Sequence, residues 1–309
     1  MLEVIVPIFG IVALGFALTK SGIFSAASGQ GLTQFMFYVA IPAMLFQAVS
    51  STQLPNQIPW SYWCAFYAPS FFIFALAILA MRFFFDWQRN QQGIAGVTSS
   101  YSNMVLLGLP LLLSAYGDRV SLPLFLLLAL QSLLLFPTTI LAVEVFGAET
   151  AKPQPLRAVV FRKLVLNPVI LSLLLGLGAN FSGFHADGIL LRLLEIIAAA
   201  APACALIALG INLAQYEARR LHPESICLTL LKIIIHPLLV FIACRLLGVE
   251  QFWMQVAVFL AAMPCGINAF IFASNYNIKT EIVTQSIVLS TVLSVLSSAV
   301  LLTLFERAL

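Results

Sequence analysis

Ser102-Asn103-Met104-Val105-Leu106-Leu107-Gly108-Leu109-Pro110 sits inside an apolar run, residues 94–115, that is long enough to cross a membrane. It is not what an uninterrupted membrane helix carries. Proline removes a backbone donor and its ring collides with the carbonyl four residues back. In hydrocarbon a freed carbonyl is tolerated only where it faces protein or a wet cavity. A second run, residues 253–274, has Pro264-Cys265-Gly266 in the matching place, with Asn268 about a turn later. Two membrane helices are thus expected to be interrupted, the first by Gly108-Leu109-Pro110 and the second by Pro264-Cys265-Gly266.

The surroundings make a membrane the only solvent that fits. Of 309 residues 61% are apolar and 9% charged, and the mean hydropathy is +1.04. Soluble domains carry about 25% charge. At about 20 residues per crossing the chain has room for about ten helices and little else. Hydropathy places them near residues 3–19, 31–50, 61–85, 94–115 and 121–146, then near 160–180, 189–214, 225–247, 253–274 and 283–305. The interrupted runs are helices 4 and 9 of this set. The most polar, proline-rich connector, Gly147 to Pro155, is the natural seam, so residues 1–147 form one half, 148–158 a cytoplasmic connector and 159–309 a second half.

Lysine and arginine on alternate sides test this count. One side collects Lys20, Arg82, Arg89, Lys152, Arg157, Arg162, Lys163, Arg219, Arg220 and Lys279; the other has Arg119, Arg192, Arg245 and Arg307. Cytoplasmic flanks retain positive charge, so both termini are expected outside. Five helices per half then put the halves in opposite orientations. Tyr38-Val-Ala-Ile-Pro42-Ala43 in helix 2 has a modest counterpart in Ala198-Ala-Ala-Ala-Pro202-Ala203 of helix 7. Broken helices in corresponding positions of inverted halves point to a transport site.

Polar residues gather at both interruptions. Ser99, Ser100, Ser102 and Asn103 precede Gly108, and Asn268 follows Pro264 and Gly266. Such amides either knit neighbouring helices together or bind a ligand. Half-helix N-termini carry partial positive charge and unpaired N–H groups, which suits a carboxylate. Gln131, deep in helix 5, either lines the same cavity or caps a neighbouring backbone. Lys232 and His236 lie one turn apart on helix 8. An intramembrane charge is by default functional, so they are candidates for coupling or binding, although Lys232 could instead snorkel to the headgroups. The sequence has no HExxH, GxSxG or Walker motif, and its histidines lack metal-ligand spacing. No enzyme, cofactor, metal or nucleic-acid partner is expected. A secondary transporter for a small organic anion fits these observations, and a membrane sensor that binds without moving its ligand is the alternative.

The ordered motifs resemble the auxin efflux carrier family, bacterial permeases and plant carriers included. They are Phe35-Met-Phe-Tyr-Val-Ala-Ile-Pro42, Asn103-Met-Val-Leu-Leu-Gly108-Leu-Pro110-Leu111, Gln131 with Glu144, Arg162-Lys-Leu-Val-Leu-Asn167-Pro168, Leu209-Gly210 with Ala214, and Met263-Pro264-Cys-Gly266 running on to Phe272-Ala273 and Tyr276-Asn277. The resemblance implies an all-α membrane fold of ten helices in two inverted repeats, like that of bile-acid symporters, with helices 4 and 9 crossing beside the substrate. It implies elevator movement. Helices 1, 2, 6 and 7 would form a scaffold and homodimer surface, while helices 3–5 and 8–10 carry the substrate. By the same resemblance Asn103 and Gln131 are substrate-site residues and Pro264 a crossover residue. Plant carriers place a proline where this chain has Ser102 and a serine where it has Leu45, and they have a long hydrophilic central loop that is missing here. A bacterial inner-membrane permease embedded among lipids is therefore expected. The resemblance associates bacterial members with small carboxylates such as malate or malonate, so the expected cargo is a small organic anion, a carboxylate or an auxin-like acid.

Overall fold

A computed structural model describes residues 2–51, 59–146, 168–184, 186–216 and 221–306. Among them every regular element is helical, and the one extended pairing is an isolated antiparallel bridge between Ser102 and Cys265. Seven helical segments are long and apolar enough to cross a membrane. The expected seam at 148–158 and Asn167 lie outside the described residues.

The first half contains α1 (Leu2–Lys20), α2 (Ala26–Phe35), α3 (Ile41–Ser51), α4 (Trp60–Phe84), α5 (Arg89–Ser100), α6 (Leu109–Tyr116) and α7 (Ser121–Phe146). The second contains α8 (Pro168–Ser182), α9 (Gly188–Ala199), α10 (Ala201–Ala214), α11 (Pro223–Leu230), α12 (His236–Leu246), α13 (Gln251–Ala261), α14 (Ile267–Tyr276) and α15 (Thr280–Glu306). Starts are set by local chemistry. At α2, Ser25 Oγ accepts from Ser28 N while Ser28 Oγ accepts from Ser25 N, a reciprocal capping box.

The helices pack in two groups. In one, α1 lies along α10, α3 along α8, α2 against α10 and α9 against α3. In the other, α4 lies along α5 and α12, α5 along α7, α12 against α13 and α11 against α15. The α1–α10 pair touches backbone to backbone. A Cβ on Gly210 would lie 2.1 Å from the Val12 carbonyl oxygen, and one on Gly15 2.6 Å from that of Ile207. With no hydrophobic drive between helices in lipid, close approach through small residues is what holds such a pair.

Three π turns, Met36–Ala40, Met104–Gly108 and Leu231–Ile235, each end two residues before a proline: Pro42, Pro110 and Pro237. The extra residue of a π turn moves the carbonyl that the proline ring would strike. This corrects one expectation. Gly108-Leu109-Pro110 does not interrupt helix 4, because the π turn absorbs the proline and runs straight into α6. The interruption lies upstream at Tyr101–Asn103, between α5 and the π turn. In helix 9 the interruption is where the sequence placed it, between Ala261 and Ile267.

Candidate functional site

The two interruptions meet. Asn103 N donates to Pro264 O and Gly266 N donates to Tyr101 O, each at 2.9 Å, so two short extended segments run antiparallel through the middle of the protein. Glycine at 266 gives the approach its room, since a Cβ there would lie 2.5 Å from Tyr101 Cδ1 unless the ring tilted. The Tyr101 ring in turn stacks on Phe136, which meets Phe272 edge-on.

Pairing of Ser102 with Cys265 leaves the outward-facing peptide groups of both residues to be satisfied elsewhere, because a buried unpaired backbone group costs about 1–3 kcal/mol. Gln131 does this for Ser102. Its Nε2 donates to Ser102 O at 2.9 Å and its Oε1 accepts from Ser102 N at 3.2 Å, so the side-chain amide stands in for a third strand. On the other flank Cys265 N donates to Ser290 Oγ at 3.0 Å. Pro264 thus contributes a carbonyl to the crossing as well as ending the helix.

One side-chain polar atom at the crossing is unmatched. Asn103 Oδ1 caps the following turn by accepting from Leu106 N at 3.2 Å, but its Nδ2 is buried with no acceptor. Asn103, Ser102, Gln131, Gly266 and Asn268 line a cavity of about 70 Å³. The N-terminus of α14 opens onto this cavity with no side chain capping it, so its first N–H groups remain available. Through Thr33, Ile267 and Ile271 the cavity adjoins a vestibule of about 630 Å³ lined by Gln30, Gln34, Asn212 and Gln215. That vestibule lies between the start of α2, the end of α10 and the start of α15, and Glu281 is the charged residue in its lining.

Behind the crossing lies Lys232, which is fully buried and does not snorkel. Its Nζ donates to Ser102 Oγ at 2.8 Å, to His236 Nδ1 at 3.1 Å and to the carbonyl of Ala261, the last residue of α13. The positive head therefore sits at a helix C-terminus, where carbonyls carry partial negative charge. His236, also fully buried, places Nε2 3.0 Å from Ser70 Oγ.

The structure thus gathers Ser102, Asn103, Gln131, Pro264, Gly266 and Asn268 around one point, with Lys232 and His236 directly behind. Gly108 and Pro110 lie further along the second half of helix 4 and do not line the cavity. Sequence reasoning missed Ser290, Ser70 and the Ala261 carbonyl. Ser290 had a readable signal: Ser286, Ser290, Ser294 and Ser298 recur every four residues in an apolar helix, and all are fully buried. Among the described residues no cluster of His, Cys, Asp or Glu could hold a metal ion.

A family model described as membrane transport protein matches residues 1–302. The chain belongs to that family, the family of the auxin efflux carriers. This membrane transport protein is 30% identical over 299 residues to a Rhizobium meliloti protein provisionally named a malonate transporter, covering 94% of this chain and 91% of that one. It is 21% identical to auxin efflux carrier component 8 of Arabidopsis thaliana, covering 92% of this chain and 91% of the plant protein. It is also 23% identical to the lysosomal cholesterol signaling protein of Mus musculus, covering 93% of this chain but 35% of the mouse protein. Apolar helices and family together make it a multi-pass membrane protein of a transporter family.

Proposed function

We propose that the protein is a secondary transporter for a small organic anion, whose carboxylate is received at the crossing by Asn103 Nδ2, the Ser102 hydroxyl and the free N–H groups of α14. The observation that carries this reading is the buried Asn103 Nδ2 without an acceptor, on a residue that lines a cavity onto which an uncapped helix N-terminus also opens. A donor left unmatched in a protein interior is costly, and an anion supplies what it lacks. Gln131 then acts as a positioning residue, because both of its polar atoms hold the Ser102 peptide. The malonate named for the Rhizobium relative makes a dicarboxylate the first candidate.

The same reading takes the chain as ten membrane helices in two inverted halves, in a bacterial inner membrane with both termini outside. The two packing groups support an elevator. Helices 1, 2, 6 and 7, represented by α1–α3 and α8–α10, form a scaffold and homodimer surface. Helices 3–5 and 8–10, represented by α4–α7 and α11–α15, carry the crossing and its cargo. A sensor is favoured by one observation, the name of the mouse relative, but about two thirds of that protein lies outside the match.

The test is uptake of labelled malonate, malate and indole acetate into proteoliposomes, with thermal-shift binding on the same protein. Asn103→Ala removes the free donor and reduces affinity about tenfold to a hundredfold, in line with the 1.5–3 kcal/mol of a hydrogen bond to a charged group. Asn103→Asp, of the same shape but carrying negative charge, abolishes uptake. Undiminished uptake in both variants would overturn the site, and saturable binding without flux would favour the sensor.

A further inference from the structure

Lys232 and His236 do not line the cavity, yet Lys232 bonds the hydroxyl of a residue that does, Ser102. The hydrogen bonds around them fix which atom carries which proton. Ser70 Oγ donates to Phe66 O at 2.8 Å, so towards His236 it is an acceptor and Nε2 bears the hydrogen. Nδ1 is then a lone pair, and it accepts from Lys232 Nζ. With its other two protons on Ser102 Oγ and Ala261 O, the ammonium is saturated. Ser102 accepts from it, so the serine's own hydrogen is not used by Lys232, and Ser102 is one of the residues lining the cavity where the carboxylate is proposed to sit.

We infer that Lys232 is the proton site that couples this carrier to the pH gradient, with the Ser102 hydroxyl as the switch between it and the bound anion. The inference rests on the anion reading above. With the anion present, Ser102 O–H donates to the carboxylate while its oxygen accepts from the ammonium. When the anion leaves, a proton leaves with it through the cavity; the hydroxyl turns and donates to the lone pair of the resulting amine. That amine keeps two N–H groups for Ala261 O and His236 Nδ1. One proton is bound for each anion bound, and every polar atom of the set stays bonded in both states.

The surroundings favour the pairing of proton and anion. The titratable group that faces Lys232, besides His236 itself, is the Cys265 thiol from the second interruption. Among the described residues no carboxylate lies within 4 Å of either Lys232 or His236 to balance an ammonium permanently. A buried charge without a partner is costly, so the proton and the anion each make the other's presence cheaper. Among the described residues the hydrogen bonds beyond His236 end at the Phe66 carbonyl. The store therefore has one door, the substrate cavity, and a proton does not cross unless the cavity changes sides.

The experiment uses the full chain in proteoliposomes containing a pH-sensitive dye, with labelled malonate as the probe. One proton enters per malonate in the native protein, and the accumulation ratio rises about tenfold per unit of pH difference, the ratio that 1.4 kcal/mol supplies. Lys232→Met and Ser102→Ala each bring the proton-to-anion ratio close to zero. A ligand-free measurement stands beside it: ¹⁵N-histidine spectra in nanodiscs, with His236 assigned by difference from His236→Gln, show the Nε2–H tautomer. Malonate uptake without proton movement, an unchanged ratio in both variants, or the Nδ1–H tautomer at His236 would each overturn the proton site alone. Absence of uptake and binding for every acid would instead overturn the transport reading, and the coupling with it.

Discussion

Two helix crossings organise this protein, and they are built in opposite ways. Where α1 meets α10, Gly15 and Gly210 let the two backbones touch, and among the described residues no side-chain hydrogen bond runs from one helix to the other. Where helix 4 meets helix 9, both helices stop, and their open backbones bond to one another and to the side chains of Gln131 and Ser290. The first crossing is held by close backbone contact between two uninterrupted helices. The second exposes unsatisfied helix ends, which is what an anion needs, and depends on side chains to satisfy the rest. A membrane protein can thus be rigid by close contact in one place and chemically receptive in another, with glycine serving both ends.

The contrast can be broken most severely at the first crossing. Gly210→Ala drives a Cβ into the Val12 carbonyl, which is backbone and cannot move aside. Loss of about 3 kcal/mol or more is expected, at the upper end for overpacking, and Gly210→Leu yields no monodisperse protein in size-exclusion chromatography. At the second crossing the largest effect belongs to Gln131→Leu, which strands both peptide groups of Ser102. Two unsatisfied groups at about 1–3 kcal/mol each give about 2–6 kcal/mol by thermal unfolding, with uptake lost in parallel. Gly266→Ala is milder, because the atom it meets belongs to the Tyr101 ring and a ring can tilt. About 1–3 kcal/mol is expected, and anion affinity falls as the stack on Phe136 is disturbed. If Gly210→Ala proves milder than Gly266→Ala, the ranking of the two crossings is wrong.

Much of this was legible in the chain because membranes narrow the choices. Prolines in two apolar runs announced trouble in helices 4 and 9, and Asn103 and Asn268 stood out as amides where hydrocarbon should be. The position of the first interruption was not legible. A proline reads as the breaker, and nothing in Gly108-Leu109-Pro110 says that a π turn will accommodate it and leave Tyr101–Asn103 to open instead. Lys232 was ambiguous for a related reason. Distance from a helix end permits snorkelling, but α11 begins at Pro223, more than two turns earlier, and three acceptors from separate parts of the chain surround Nζ. Gln131 was flagged as either a ligand contact or a backbone cap. Only the fold brings Ser102 opposite it, where Gln131 both holds that peptide and lines the cavity.

A residue added to a membrane helix turns everything beyond it by about 100°, and faces meant for protein swing towards lipid. At Met36–Ala40, Met104–Gly108 and Leu231–Ile235 the surplus residue is already housed in a bulge, while the flanks keep their α register. Three helices therefore carry an allowance for length. Chains that differ by one residue at these points can present the same faces to the same neighbours, so these turns are where insertions and deletions can accumulate without unmaking the fold.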